Sequence, residues 1–173
     1  MIANSTRPEL PASIARHNSL TAGAQSHYLA VRRDWSGFMP LSYDEAIRVT
    51  QSAHERARQI GIRITSVVVD EGGLLQSLAR MDGAPPLSAQ IAESKAVGAA
   101  LWHRDGGSLA QLVQERPAFF KAVTRLVRMP IIPGPGSVLI RREGAVLGAV
   151  GVSGAKPEQD LDCAEYGLRA LER

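Results

Sequence analysis

Lys95 is the residue of this 173-residue sequence whose surroundings most clearly favour chemical reactivity. It lies among Ile91, Gly98 and Trp102 at helical spacing. An ammonium group surrounded by apolar side chains loses hydration, and a lysine in such surroundings can become a reactive amine. Alternatively, its aliphatic stem packs while the ammonium group reaches solvent or Glu158. The sequence leaves both interpretations open.

A second polar group, Arg80-Met81-Asp82-Gly83, follows the end of a predicted strand. An arginine and an aspartate there can bind a carboxylate and orient a second polar group. The alternative is an Asp-Gly turn beside a surface arginine. We predict Arg80 and Met81 as ligand contacts and Asp82 as a proton-transfer group.

Two glycine-rich stretches are candidate ligand loops. The backbone amides of Gly134-Pro135-Gly136-Ser137 can cradle an anion, although the helix that must follow a phosphate loop is missing. Gly151-Val152-Ser153-Gly154-Ala155 lacks the final glycine of a nucleophile elbow, which excludes a serine hydrolase of that type. Gly134, Gly136 and Ser153 are predicted ligand contacts.

The four histidines show no metal-ligand spacing and no metal site is predicted; they are His17, His27, His54 and His103. His54 shares a helix face with Ile47 and Ala57, a pattern typical of a core histidine. His103 follows Trp102 at a helix end, where the histidine can reach a cofactor iron, and Trp102 is a predicted ligand contact. A basic stripe of Lys121, Arg125 and Arg128 indicates a solvated face or a contact for an acidic ligand.

The elements that must position these residues occur in the order helix, hairpin, helices, hairpin, helix. Ser42 and Glu45 form a capping box before the first helix, and we predict that Ser88 caps the second helix and that Ser108–Gln111 is another capping box. Small residues line one face of the second helix, namely Ala89, Ala92, Ala96 and Ala99. Since hairpins pair antiparallel, the fold class is α+β.

Composition indicates a globular protein, with 45% hydrophobic and 5% aromatic residues. The net charge is +3, and acidic and basic residues alternate, which argues against a nucleic-acid surface. The lone Cys163 favours a reducing compartment. With no recognisable secretory signal or membrane span, we expect a cytoplasmic protein without a membrane partner.

The domain boundary is predicted at residue 40. Residues 1–40 are rich in Ser, Pro, Asn, Arg and Gly and are interpreted as an N-terminal extension. Its second half carries apolar residues that suggest docking on this subunit or on a neighbour. Residues 41–173 form the core domain.

Several motifs in order resemble the GlcG/HbpS-like family, also called the heme-degrading domain family and related to the C-terminal domain of PduO. They are Val68–Gly73, Ala79–Ala84, Ala92–Ala96, Gly148–Gly154 and Glu158–Asp160. The resemblance implies profilin-like α/β/α layers with a five-stranded antiparallel sheet and helices on both faces. It also implies a homo-oligomer, as a dimer, tetramer or octamer.

Three functions follow as hypotheses. By resemblance, the first is a small-molecule-binding protein whose leading ligand is heme, with His103 or His54 on the iron and Lys95, Arg80 or Arg128 on the propionates. The second is a metal-independent catabolic lyase, isomerase or hydrolase acting on a small carboxylate or an aromatic-degradation intermediate. In that enzyme Lys95 is the base, Arg80 binds the carboxylate, and Glu158 or Asp82 transfers protons. The third is a structural partner in a larger complex.

Overall fold

A computed structural model describes residues 40–172. The predicted extension, residues 1–40, lies outside this part of the chain except for Pro40. The helices are α1 (Tyr43–Gln59), α2 (Ser88–Trp102), α3 (Gly106–Glu115), α4 (Pro117–Val123) and α5 (Pro157–Leu168). The strands are β1 (Thr65–Asp70), β2 (Leu75–Arg80), β3 (Ser137–Arg142) and β4 (Ala145–Ser153), and single 3-10 turns follow α4 and α5.

Two antiparallel hairpins build the sheet, as predicted. The strand order is β2-β1-β4-β3, so β1 and β4 are central and β2 and β3 are the edges. The prediction of five strands was wrong, because the described residues form four. The segment before β3 contains Pro130, Pro133 and Pro135, which lack the N–H that a ladder requires, and it forms no strand.

Helix α2 covers one face of the sheet at very short range. Ala92 and Ala96 are fully buried there, beside Val67 and Val69 of β1. A Cβ built on Gly151 of β4 would lie 2.2 Å from the Ala92 carbonyl oxygen. The predicted alanine face therefore lies on the sheet, and a glycine beneath it permits the close approach.

Helices α1 and α5 cover the opposite face. Val49 and Ala53 of α1 and Ala164 of α5 are buried with Val68 and Val150 from the central strands. The sheet is thus enclosed between helices, and the predicted α/β/α layering is confirmed.

The helix starts confirm one capping prediction and correct two. Ser42 Oγ accepts from the Glu45 N–H, and the Glu45 carboxylate accepts from the Ser42 N–H, so the first capping box is present. Ser88 is instead the first residue of α2, and its hydroxyl lies 2.6 Å from that of Thr65 on β1. Ser108 lies inside α3. Gly106 and Gly107, which precede it, are already helical, so the helix begins at Gly106 and Asp105 is its N-cap residue.

Candidate functional site

Helix α1 is joined to the edge strand β2 by two polar contacts one helical turn apart. The hydroxyls of Thr50 and Ser77 lie 2.6 Å apart in a buried hydrogen bond. His54 Nε2 lies 3.2 Å from the carbonyl oxygen of Ala79. Thr50 and His54 are four apart on the helix and therefore share a face, and their partners Ser77 and Ala79 are two apart on the strand. The two contacts together fix the position of the His54 imidazole.

The environment of His54 defines its protonation state. The side chain is 8% exposed. Burial lowers the pKa of His54 below its ordinary range, the nearby Arg58 lowers it further, and the Ala79 carbonyl opposes the shift. Because a carbonyl oxygen only accepts, Nε2 carries the proton of the neutral ring and Nδ1 carries the lone pair.

A surface depression beside His54 collects three arginines, Arg58, Arg63 and Arg80, together with Met81 and Asp82. Within residues 40–172, no acidic side chain lies within salt-bridge distance of these three arginines. Arg80 Nη1 donates to the Ala84 carbonyl oxygen at 2.6 Å, which positions its guanidinium. The depression therefore places the imidazole of His54 near three guanidinium groups that have no acidic partner among residues 40–172, with the Asp82 carboxylate also on its rim.

The structure thus brings together four of the predicted site residues: His54, Arg80, Met81 and Asp82. Arg58 was missed by the sequence analysis. Its position four residues after His54, on the same helix face, was the available signal.

Lys95 lies in a different environment, buried between elements from both faces of the sheet. Its Nζ donates to Asp160 Oδ2 at 3.0 Å and to the Val152 carbonyl oxygen at 3.0 Å. Asp160 Oδ1 also accepts from the Ala155 N–H at 3.1 Å. The ammonium group is therefore neither free nor exposed.

Asp160, rather than Glu158, is the acidic partner of Lys95. Side chains two positions apart on a helix differ by about 200° in direction, so the carboxylates of Glu158 and Asp160 point to different sides of α5. Glu158 is exposed, whereas Asp160 is 3% exposed. Burial raises the pKa of Asp160, and the charge of Lys95 partly offsets that rise.

The glycine loop before β3 packs against this ion pair. A Cβ on Gly136 would lie 2.8 Å from Lys95 Nζ and 2.9 Å from the Val152 carbonyl oxygen. The Gly134 N–H donates to the Gly106 carbonyl oxygen at 3.1 Å. Ser153 is buried at the end of β4. None of these predicted ligand contacts lines the depression beside His54.

The remaining predicted site residues lie elsewhere on the molecule. His103 ends α2 in the left-handed conformation, with φ 49°, and is exposed. Trp102 packs against Phe120, with ring centroids 5.4 Å apart. Arg128 donates to the Gly73 carbonyl oxygen at 2.7 Å.

The enzyme hypothesis required Lys95, Arg80 and either Glu158 or Asp82 in one site, and of these only Arg80 and Asp82 lie together. The structure places Lys95 in a buried ion pair, Arg80 in the depression beside His54, and Glu158 on the exposed first turn of α5. The geometry therefore gives that constellation no support.

Residues 40–172 contain no group of three or more His, Cys, Asp or Glu side chains that could hold a metal ion. In the same part of the chain, every helix is too short or too polar to cross a membrane.

The chain belongs to the family described as haem degrading protein HbpS-like, whose model matches residues 41–169. It is 29% identical over 160 residues to the corrinoid adenosyltransferase PduO of Citrobacter freundii, covering 91% of this chain and 48% of PduO. It is 31% identical over 113 residues to protein GlcG of Escherichia coli K12, covering 65% of this chain and 81% of GlcG. The chain thus spans about half or less of the PduO relatives.

Solved structures show the same fold. The PduOC:heme complex superposes with a TM-score of 0.69 at 28% identity, covering 76% of this chain and 95% of that one. HbpS superposes with a TM-score of 0.70 at 26% identity, covering 80% of this chain and 94% of that one. One of these relatives was thus solved with heme bound.

Proposed function

We propose that this protein binds heme in the depression beside His54. The observation that carries the proposal is the convergence of His54, Arg58, Arg63, Arg80 and Met81 on one surface. An imidazole nitrogen is a common iron ligand, and guanidinium groups bind carboxylates in a planar, bidentate manner. The arrangement matches a ligand with a metal centre and peripheral carboxylates.

The donor set fits the group. Ligating histidines commonly donate their other ring N–H to a backbone carbonyl, which fixes the ring and raises its basicity. His54 already makes such a bond, to Ala79, and its neutral state leaves the other nitrogen free of a proton. Bound heme would supply an iron centre, while the protein supplies orientation and charge.

The arginines provide the second part of the fit. Arg58, Arg63 and Arg80 have no acidic partner among residues 40–172, so a ligand carboxylate would not displace an internal ion pair. Met81 adds an adaptable apolar contact beside them. A relative solved as a heme complex and a family named for haem degradation support the same ligand class.

We also propose that the protein is a cytoplasmic homo-oligomer. Leu75 and Leu78 of the edge strand β2 are 50% and 43% exposed, and Leu101 at the end of α2 is 41% exposed. Exposed apolar side chains on an unpaired edge favour association. Light-scattering mass should exceed that of a single 18.5 kDa chain, and Leu78→Lys should lower it. A monomer in the wild type would contradict this proposal.

The heme proposal is tested by titrating the whole 173-residue chain with hemin and following Soret absorbance. Wild type should give a saturable band with a defined stoichiometry. His54→Ala should shift the band and weaken binding at least tenfold, and Arg80→Gln should weaken it several-fold.

His103→Ala is the matched control, because it removes an exposed histidine outside the depression. It should behave as wild type. If His103→Ala changes the spectrum and His54→Ala does not, the assignment to His54 is wrong, and unsaturable absorbance in wild type would overturn heme binding itself.

A further inference from the structure

A second cavity lies between helix α1 and the 3-10 turn that follows α5, Arg169–Leu171. Its volume is about 840 Å³. Sites for small organic ligands usually measure about 300–1,000 Å³, so this cavity is large enough for one. It shares His54 and Arg58 with the depression beside His54, and its other lining residues do not border that depression.

The wall of this cavity carries an excess of positive charge. Arg48, Arg58 and Arg169 line it, and Glu55 is the one carboxylate among the described residues that do so. The three guanidinium groups have no acidic side chain within salt-bridge distance and no hydrogen-bond acceptor among residues 40–172. Their N–H donors are therefore available to a ligand.

The opposite side of α1, which faces α5, has paired polar groups instead. Arg56 donates to Asp162 at 2.7 Å. One turn earlier in α1, the Ser52 hydroxyl donates to the Tyr166 carbonyl oxygen at 3.2 Å. Helices α1 and α5 are therefore antiparallel, and the turn that follows α5 lies beside the first half of α1.

This arrangement brings Arg48 and Arg169 to the same end of the cavity. A Cβ on Gly167 would lie 3.0 Å from the Val49 carbonyl oxygen, so the two backbones are in contact next to Arg48 and just before Arg169. Arg58 lies about 15 Å further along the axis of α1. The guanidinium groups of Arg48 and Arg169 thus form a pair at the end away from the depression beside His54.

The guanidinium of Arg169 is already oriented by an aromatic ring. It lies over the ring of Tyr166, 5.2 Å from the centroid. Stacking on an aromatic face leaves the N–H edge of a guanidinium free for an acceptor. An arginine held in this way loses little conformational freedom when it binds a ligand.

We propose that Arg48 and Arg169 bind the phosphate group of a small phosphate monoester, at a site separate from the proposed heme site. Such a group carries a charge of about −1.5 to −2 at pH 7 and offers three acceptor oxygens. Two adjacent guanidinium groups match it better than they match a single carboxylate, because each can bind two of its oxygens.

The rest of the cavity indicates what the phosphate is attached to. Gln51 and Glu55 line it and are exposed. Glu55 is about 10 Å along α1 from Arg48, so its carboxylate faces the body of the ligand rather than the phosphate. An amide and a carboxylate both accept hydrogen bonds from hydroxyl groups, so a hydroxylated body is the best match.

The probe is glycerol 3-phosphate, titrated calorimetrically into the heme-free 173-residue chain at constant ionic strength in chloride. Wild type should bind one molecule per chain, at least fivefold more tightly than inorganic phosphate. Arg48→Gln and Arg169→Gln should each weaken binding at least tenfold. Both side chains are exposed, so the variants should keep the urea unfolding midpoint of wild type.

Arg125→Gln is the matched control, because it removes an exposed arginine that lies outside both cavities. It should stay within twofold of wild type. Equal losses in all three variants would show non-specific attraction to a basic surface and overturn the site, as would the absence of saturable binding. Equal binding of inorganic phosphate would overturn the organic ligand class.

Hemin titrations separate this proposal from the heme proposal. Arg48 and Arg169 do not line the depression beside His54, so both glutamine variants should bind hemin as wild type does. Arg80→Gln should lose hemin affinity and keep its affinity for glycerol 3-phosphate. Loss of both ligands together in Arg48→Gln would show a single shared site and overturn the second one.

Discussion

Lys95 of α2 and Asp160 of α5 meet at 3.0 Å, although their helices lie on opposite faces of the sheet. The contact passes around the end of β4, where Lys95 also binds the Val152 carbonyl oxygen. Both side chains are less than a tenth exposed. The pair therefore joins the two helical layers directly.

Replacing Lys95 by Met should destabilise the protein by about 3–5 kcal/mol at neutral pH, because it leaves Asp160 buried without its cation. The loss should depend on pH. Burial already raises the pKa of Asp160 and Lys95 opposes the rise, so the variant raises it further. The native state then binds more protons than the unfolded state above the ordinary aspartate pKa, and stability falls as pH rises.

Chemical unfolding of Lys95→Met between pH 5 and pH 8 should therefore show a larger deficit at pH 8. Lys156→Met removes an exposed lysine near the same helix start and should show no such trend. A deficit that is the same at both pH values would contradict the buried ion pair.

Gly151→Ala should destabilise the protein by about 3 kcal/mol or more, since the new Cβ would overlap the Ala92 carbonyl oxygen and the Ala96 amide. Urea unfolding measures the effect. Gly107→Ala is the control, because a Cβ there meets nothing within 4 Å. Similar stabilities of the two variants would show that α2 does not lie this close to β4.

Ser42→Ala should cost about 1 kcal/mol, because it removes the hydroxyl that caps α1. Ser108→Ala should change stability by less than about 0.5 kcal/mol, since Ser108 lies within α3 and caps nothing. Thermal unfolding of the two variants compares them directly. A larger loss of stability from Ser108→Ala than from Ser42→Ala would contradict the structure and indicate that Ser108 does cap a helix.

The Cys163 thiol should react slowly with disulfide reagents in the native protein at pH 8. Burial, with the nearby Asp162 and Asp160, raises its pKa to about 11, so little thiolate is present. The rate should rise steeply in guanidinium chloride. A Gln111→Cys variant supplies an exposed second thiol as an internal control, and equal native rates for both thiols would contradict the burial of Cys163.

Local patterns predicted the elements of this fold well, because each depends on neighbours in sequence. The Ser42–Glu45 capping box, the two hairpins and the alanine face of α2 all follow from spacings of two to four residues. The fifth strand came from family resemblance alone. The prolines before β3 were the local evidence against it.

The site was harder to predict because its contacts are long-range. Asp160 lies 65 residues from Lys95, and nothing in the sequence distinguishes it from Glu158 as a partner. His54 was assigned to the core or to a cofactor, and the structure shows that it is buried and also borders an arginine-lined depression. The start of α3 beside Gly134 depends on the tertiary fold and has no local signature.

The central claim, that His54 binds a tetrapyrrole metal, is tested most directly by NMR of the imidazole rings with gallium(III) protoporphyrin IX, a diamagnetic analogue of heme. The ring nitrogens of His54 should shift in a stoichiometric titration, while those of the exposed His103 stay in place. Unmoved His54 resonances in a protein that binds the analogue would contradict the account.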